Sequence, residues 1–473
     1  MEKLRKLINE LSQKDFNSIE KMLIDNRSEK FLLLLQSFRG KNSTKDKDLL
    51  GKLHCNENAL YVLKSRLYDK IQKHLVKGVP ESQNGKSDLS LSPTQLIFEL
   101  PRETAIAILL ELEKKHIEND IPGELIEVYS ALKKAHYNSE KYYLYSQLYN
   151  KHVAFTAAVE KAEDTLYNFN KTLSNYFFSR SDTDLELIRI VKIEIGNIYA
   201  LNQSHRIELI KNFLAIQVQL YTPLEFSQEE SLEDLLMHSE KIITGFPNDK
   251  QLVYYKRVLD FFRFEYYQKI QELRKASKYF DLVNEAGSTW LLMSPVCQAH
   301  RFLLSKVRFL TRTDRTAELD DNAATLIDNY DFYTEVVLRL YKALVKFYGN
   351  HLKEAAGTLN ELLNEASFKD FFPMELEIKL TLAYTYARMG ESELAENLTK
   401  SVSRKLNDHK KENYVHAKAF IKLISLLIGD DQSQASRKKI RNAIDQFNIQ
   451  NQGKNRILDF LQADLDAFRV KTA

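Results

Sequence analysis

Metal or nucleophilic chemistry in this sequence would have to be assembled from eleven histidines and two cysteines, and their spacing offers no such assembly. A structural zinc site needs four converging ligands, and many catalytic ones take two histidines from adjacent turns of one helix. The sequence has no HExxH and no histidine pair at i and i+4, and Cys55 lies far from Cys297. His54 adjoins Cys55, but neighbours on a helix point in different directions and two ligands do not complete a site. Phosphate loops need backbone N–H groups gathered at a helix N-terminus, and neither GxxxxGK(S/T) nor GxGxxG is present. No GxSxG elbow exposes a serine. Glu111 with Glu113, and Asp464 with Asp466, stand two apart, where helical side chains diverge and cannot share a proton. Both pairs are expected as solvated surface. Arg437, Lys438, Lys439 and Arg441, with Lys410 and Lys411 upstream, could meet phosphates, but at the start of a second helix they are expected as an exposed face. The expectation is no catalytic, cofactor-binding or metal-binding residue, hence no enzyme.

The elements that would carry such residues are helical. Only 13 Gly and 8 Pro occur in 473 residues, far fewer than tight sheet turns or glycine-rich ligand loops require. Hydrophobic residues at 44% and charged residues at 28% describe a chain that folds, and its length calls for several domains or a stack of repeats rather than one core. The longest apolar runs, such as Phe31 to Leu35 and Ile424 to Ile428, are far below the roughly 20 residues that span a bilayer. The first residues, MEKLRKLINELSQKD, lack the apolar core of an export signal, and two distant cysteines suit a reducing compartment, so a cytoplasmic location is expected. Net charge is +3, but residues 1–88 and 401–473 are each basic by six charges and the middle is acidic by nine.

Along the chain, residues 1–79 are expected as a small module of short helices, with Ser12, Ser28 and Thr44 as N-caps. Its last helix carries Leu60, Leu63, Leu67, Ile71 and Leu75 on one stripe. Residues 80–98, rich in Gly, Pro, Ser and Asn, are expected as a linker or loop. Residues 99–230 should form helical hairpins around a long helix. In that helix Phe155, Val159, Ala162, Leu166, Phe169, Leu173 and Tyr176 follow the spacing of a coiled-coil seam. Ile188, Val191, Ile195 and Ile198 give a second stripe, and Ile207, Ile210, Leu214, Val218 and Tyr221 a third, expected to pack antiparallel.

Residues 231–473 repeat, ending in a capping helix. Ala355, Ala395 and Ala435 recur at steps of 40, each preceded twelve residues earlier by Ala343, Ala383 or Leu423, with Gly349, Gly390 and Gly429 at the turns between. Small residues are needed where two helices cross. In LTLAYTYARMGESELAENLTKSV, Ala383, Tyr386, Gly390 and Ala395 hold a spacing that resembles the tetratricopeptide pattern. A weaker unit has Pro247 opening a helix and Tyr266, Leu273 and Ala276 at second-helix positions. The fold expected is therefore all-α, an α-solenoid of tetratricopeptide-like hairpins with a small helical N-terminal module and a long coiled-coil-like segment.

The succession LINELSQKDFNSIEKML, EKFLLLLQSF and ALYVLKSRLYDKIQKHL, followed by a long helical region, is similar to a group of bacterial tetratricopeptide-like proteins typical of the Bacteroidota. The resemblance implies a helical-repeat architecture and a cytoplasmic location, and brings no activity with it. The function expected is a scaffold or adaptor that binds a protein or peptide. Two further readings stay open: a regulatory switch in which the basic N-terminal module docks on the acidic middle, and a nucleic-acid-binding helical repeat, against which the mild overall basicity argues. The inner positions near Leu340, Leu344, Leu380 and Tyr384 are apolar or aromatic, so the Lys, Asn and Arg clamp of carboxylate-gripping repeats is not expected. A groove there should hold a peptide through apolar and aromatic anchors.

Overall fold

The computed structural model describes residues 2–39, 46–78, 92–119, 121–225, 230–247, 249, 252–285, 297, 301–320, 331–407, 414–429, 433–451, 457–462 and 464–466. Among them every regular element is a helix, and the chain divides into two compact units, Met1–Glu160 and Lys161–Ala473.

The first unit contains α1 (Glu2–Glu10), α2 (Gln13–Asp25), α3 (Glu29–Phe38), α4 (Asp46–Leu53), α5 (Glu57–Gly78), α6 (Pro93–Glu99), α7 (Arg102–Glu118), α8 (Pro122–Ala135) and the start of α9 (Lys141–Ser179). Ser12 caps α2 through its Oγ, which accepts from the Asp15 N–H at 3.1 Å. Ser28 stands at the cap position of α3 without that bond, and Thr44 lies outside the described residues. The stripe of α5 is buried at Leu60, Leu67, Ile71 and Leu75. It packs in one core with Ala107 and Leu109 of α7 and Val128 and Leu132 of α8, so the residues of the N-terminal module share their core with the hairpin that follows. Gln72 Nε2 donates to the Ala107 carbonyl at 3.0 Å inside this core. Of the expected linker, residues 80–91 lie outside the described residues, while its last part is helical. Ser92 and Gln95 form a reciprocal capping box and Pro93 takes the first helical position, where its missing N–H costs nothing. The Ser and Pro read as loop composition are helix-start signals.

The second unit takes the rest of α9 and continues with α10 (Asp182–Leu201), α11 (His205–Tyr221), α12 (Leu232–Gly245), α13 (Leu252–Lys269), α14 (Leu273–Glu285) and α15 (Arg301–Arg312). Then come α16 (Phe332–Tyr348), α17 (Leu352–Glu365), α18 (Phe372–Met389), α19 (Ser392–Asn407), α20 (Val415–Ile428), α21 (Gln434–Asn451) and a 3-10 turn, Ile457–Leu461. The seam of α9 is buried from Val159 to Tyr176, with Phe155 half-buried, and Lys161 Nζ reaches Glu194 of α10 at 2.8 Å. The helices α11 to α14, and again α15 to α21, pack as consecutive neighbours, most closely within α13–α14, α16–α17, α18–α19 and α20–α21.

Ala343, Ala355, Ala383 and Ala395 are buried where these pairs touch, but Ala435 is exposed in the first turn of α21. The inward positions of α19 are Ala395, Thr399, Val402 and Leu406, and the same 4-3-4 spacing in α21 falls on Ser436, Ile440, Ala443 and Phe447. The last repeat is one residue longer, which puts Ser436 rather than Ala435 toward the crossing. Pro247 does not open a helix: α13 begins at Leu252, Tyr266 belongs to it, and Leu273 is exposed at the start of α14 whereas Ala276 is buried.

Candidate functional site

Among the described residues, His54 and Cys55 do not join further metal ligands. His54 is exposed in the α4–α5 turn at φ 46, and Cys55 packs partly into the first core. Cys297 is buried, and burial pushes its thiol well above the ordinary range. Among the described residues no group of three His, Cys, Asp or Glu could hold a metal ion. Glu113 of α7 has its carboxyl pKa raised by burial, opposed by a hydrogen bond from Tyr129. Arg437, Lys438 and Lys439 are exposed at the start of α21 and Arg441 is half-buried, while Lys410 and Lys411 lie outside the described residues.

What does converge is a groove along α15, α16 and α18, and residues 457–462 and 464–466 lie in it. Ile457, Leu458, Phe460, Leu461 and Leu465 are each no more than 3% exposed and join the core built by α16 to α21. The main chain of the segment is held by two side chains. The Ile457 N–H donates to Glu377 Oε2 of α18 at 2.6 Å, and the Tyr348 hydroxyl of α16 donates to the Phe460 carbonyl. Glu377 is itself buried, 3.5 Å from His416 Nε2 of α20.

The carboxylates of the segment meet cations on the groove wall. Asp464 Oδ2 accepts from the Tyr384 hydroxyl at 2.5 Å and from an Arg388 guanidinium N–H, both on α18. Arg308 of α15 lies 4.0 Å from Asp459, with its guanidinium over the Phe460 ring at 5.1 Å, and Asn451 Nδ2 donates to the other Asp459 oxygen at 2.5 Å. Partial desolvation and then Arg308 lower the pKa of Arg312, with Asp459 and Asp466 opposing. Burial raises the Tyr384 hydroxyl far above its ordinary value, and Asp464 adds to this, so Tyr384 stays a proton donor. For Arg388, burial alone would lower the pKa, but Asp464 and Tyr384 outweigh it and hold the charge. Behind Arg308 lies Glu265 of α13, whose carboxyl is raised by burial and pulled back first by Arg308.

Beneath the groove Tyr384 stacks obliquely between Phe347 at 6.0 Å and Phe420 at 5.6 Å, and Phe420 meets Phe447 at 4.8 Å. At the Ile457 end a cavity of about 10 Å³ is lined by Phe177, Arg180, Pro373, Met374, Glu377 and Ile457, room for roughly one water and far too small for an organic ligand. The chemistry of the groove is recognition: two side chains grip a backbone, apolar seats take five side chains, and cations take the carboxylates.

Tyr384, Leu340, Leu344 and Leu380 are thus apolar or aromatic as expected, yet all four are buried. Asp464 is the larger departure. It is no solvated carboxylate but the partner of Arg388 and Tyr384. Arg308 and Arg388, side chains that bring positive charge to the groove, were also missed. The run ILDFLQADL, which alternates apolar residues with aspartates in an otherwise basic stretch, marks the segment they meet but not the arginines themselves. No family model, no curated protein and no solved structure matches the chain.

Proposed function

We propose that this chain is a non-catalytic scaffold or adaptor of tetratricopeptide-like helix pairs, working in the cytoplasm, whose ligand is a segment of another protein. The observation that carries the reading is the groove of α15, α16 and α18, whose side chains address a passing backbone at Glu377 and Tyr348 as well as its side chains. Contacts of that kind suit an extended or short helical peptide rather than a small molecule. The repeat assignment rests on Ala383, Tyr386, Gly390 and Ala395. Gly390 ends α18 in the left-handed region at φ 81, and Asn360 Nδ2 of α17 donates to Tyr386 Oη at 2.6 Å, tying successive pairs together. Among the described residues no helix is long and apolar enough to cross a membrane.

The test is affinity capture of the intact chain from its native cells, followed by crosslink mapping. Protein partners whose crosslinks fall on α15, α16 and α18 are expected. A chain that captures no protein, or partners that all map to other surfaces, would remove this reading.

A further inference from the structure

We propose that residues 457–462 and 464–466 are an exchangeable occupant of the groove, and that the partner which replaces them presents a short acidic segment with Ile, Leu or Phe at the same places. The proposal rests on the reading of this groove as the binding surface, and adds the chemistry of the ligand and the means by which the site is kept closed.

Three observations carry it. The segment departs from the packing of the repeats: where α16 to α21 stack as antiparallel pairs, residues 457–461 form a single 3-10 turn laid against α15 and α18. Such turns have poorer internal hydrogen bonds than an α-helix, so this one is held mainly by the groove. Second, Glu377 and Tyr348 bind main-chain groups at Ile457 and Phe460, contacts that any segment of the same backbone shape could make. Third, the part of the wall that faces Asp459 and Asp464 is cationic, whereas Glu377 at the Ile457 end takes a main-chain N–H. Arg308 and Arg388 face aspartates of the segment, and Tyr384 donates to Asp464. An emptied groove would leave a half-buried guanidinium and a buried hydroxyl without their carboxylate, which is costly. The site therefore selects an acidic replacement over vacancy and over a basic or purely apolar one.

A tethered occupant acts at an effective concentration on the order of millimolar, so it weakens any competitor that binds in the micromolar range. The probe is a fluorescein-labelled peptide, NRILDFLQADLDAF, copied from residues 455–468, with a scrambled peptide as control. It is titrated by anisotropy into the full-length chain and into two full-length variants that loosen the tethered copy by different means, Phe460→Ala with Leu461→Ala, and Asp464→Lys. Both variants are expected to bind at least about tenfold tighter than the parent chain, the scramble not at all. Variants that keep the parent helical signal yet bind the peptide no better than the scramble would overturn the proposal. Hydrogen exchange on the unmodified chain decides the matter if the variants fail to fold. Amides 457–461 should exchange at least about a hundredfold faster than those of the α18 centre. Exchange only together with α18 would make the segment a fixed part of the core and end the idea. Peptide binding without groove crosslinks in cells would leave this inference standing and remove the adaptor reading; the converse would do the opposite.

Discussion

The carboxylate of Asp464 shows how far residue identity alone misleads. Two aspartates spaced as 464 and 466 look like solvated surface on any helix, and only the approach of Arg388 and Tyr384, 76 and 80 positions away, makes one of them an anchor. Asp464→Ala should destabilise the second unit by about 2 kcal/mol in urea unfolding, because it strands a partly buried guanidinium. Combined with Arg388→Ala it should cost clearly less than the two single losses added, a coupling of about 1 kcal/mol or more. A second residue makes a pH prediction in the first unit. His136 is buried, its Nε2 has no hydrogen-bond partner, its ring stacks on Tyr145 at 5.3 Å, and its pKa is pushed down to about 4 by burial first and then by Lys141 and Arg102. The fold holds this imidazole neutral while the unfolded chain protonates it near pH 6.5. Its contribution is therefore whole above pH 6.5 and is lost as pH falls toward 4. Unfolding at pH 4.5 should show a loss on the order of 2 kcal/mol from this group, and His136→Gln should reduce the pH dependence of the first unit's melting over that window.

At the scale of elements, the helices were legible because each carries its own evidence: apolar stripes at 3.6-residue spacing, serine caps, turn glycines. The stripes of α5, α9 and α11 are where the periodicity puts them. Register was less legible. A 40-residue step continues one period too far in sequence, since Ala435 happens to occupy the right number, whereas the inward face of α21 is set by Ile440, Ala443 and Phe447 meeting its neighbour. Leucine substitutions separate the two registers. Ala395→Leu should overpack the α18–α19 crossing and cost about 2 kcal/mol, while Ala435→Leu, on an exposed turn, should stay within about 0.5 kcal/mol in the same denaturation assay. Gly390→Ala should cost about 1 kcal/mol, because φ 81 lies in the left-handed region and nothing else crowds that site.

At the scale of the whole molecule, charge is distributed against its local trend. Residues 401–473 are basic by six charges, yet the stretch that fills the groove carries Asp459, Asp464 and Asp466. Salt should therefore loosen that stretch selectively. Raising sodium chloride from 50 to 500 mM should speed exchange of amides 457–461 severalfold while leaving the α16–α19 core unchanged, and equal slowing or speeding of both would contradict an electrostatic seat. The sequence by itself determined an all-helical chain with repeating pairs, because helix formation and its punctuation are local and each stripe announces its buried face. Only the tertiary structure decided which of those faces meet, where the last repeat slips by one residue, and that Asp464 takes the hydroxyl of Tyr384, one of the positions read as peptide anchors. Those outcomes depend on contacts between residues some 80 to 110 places apart, Tyr348 with Phe460 and Tyr384 with Asp464 among them, and no short-range pattern encodes a partner at that distance.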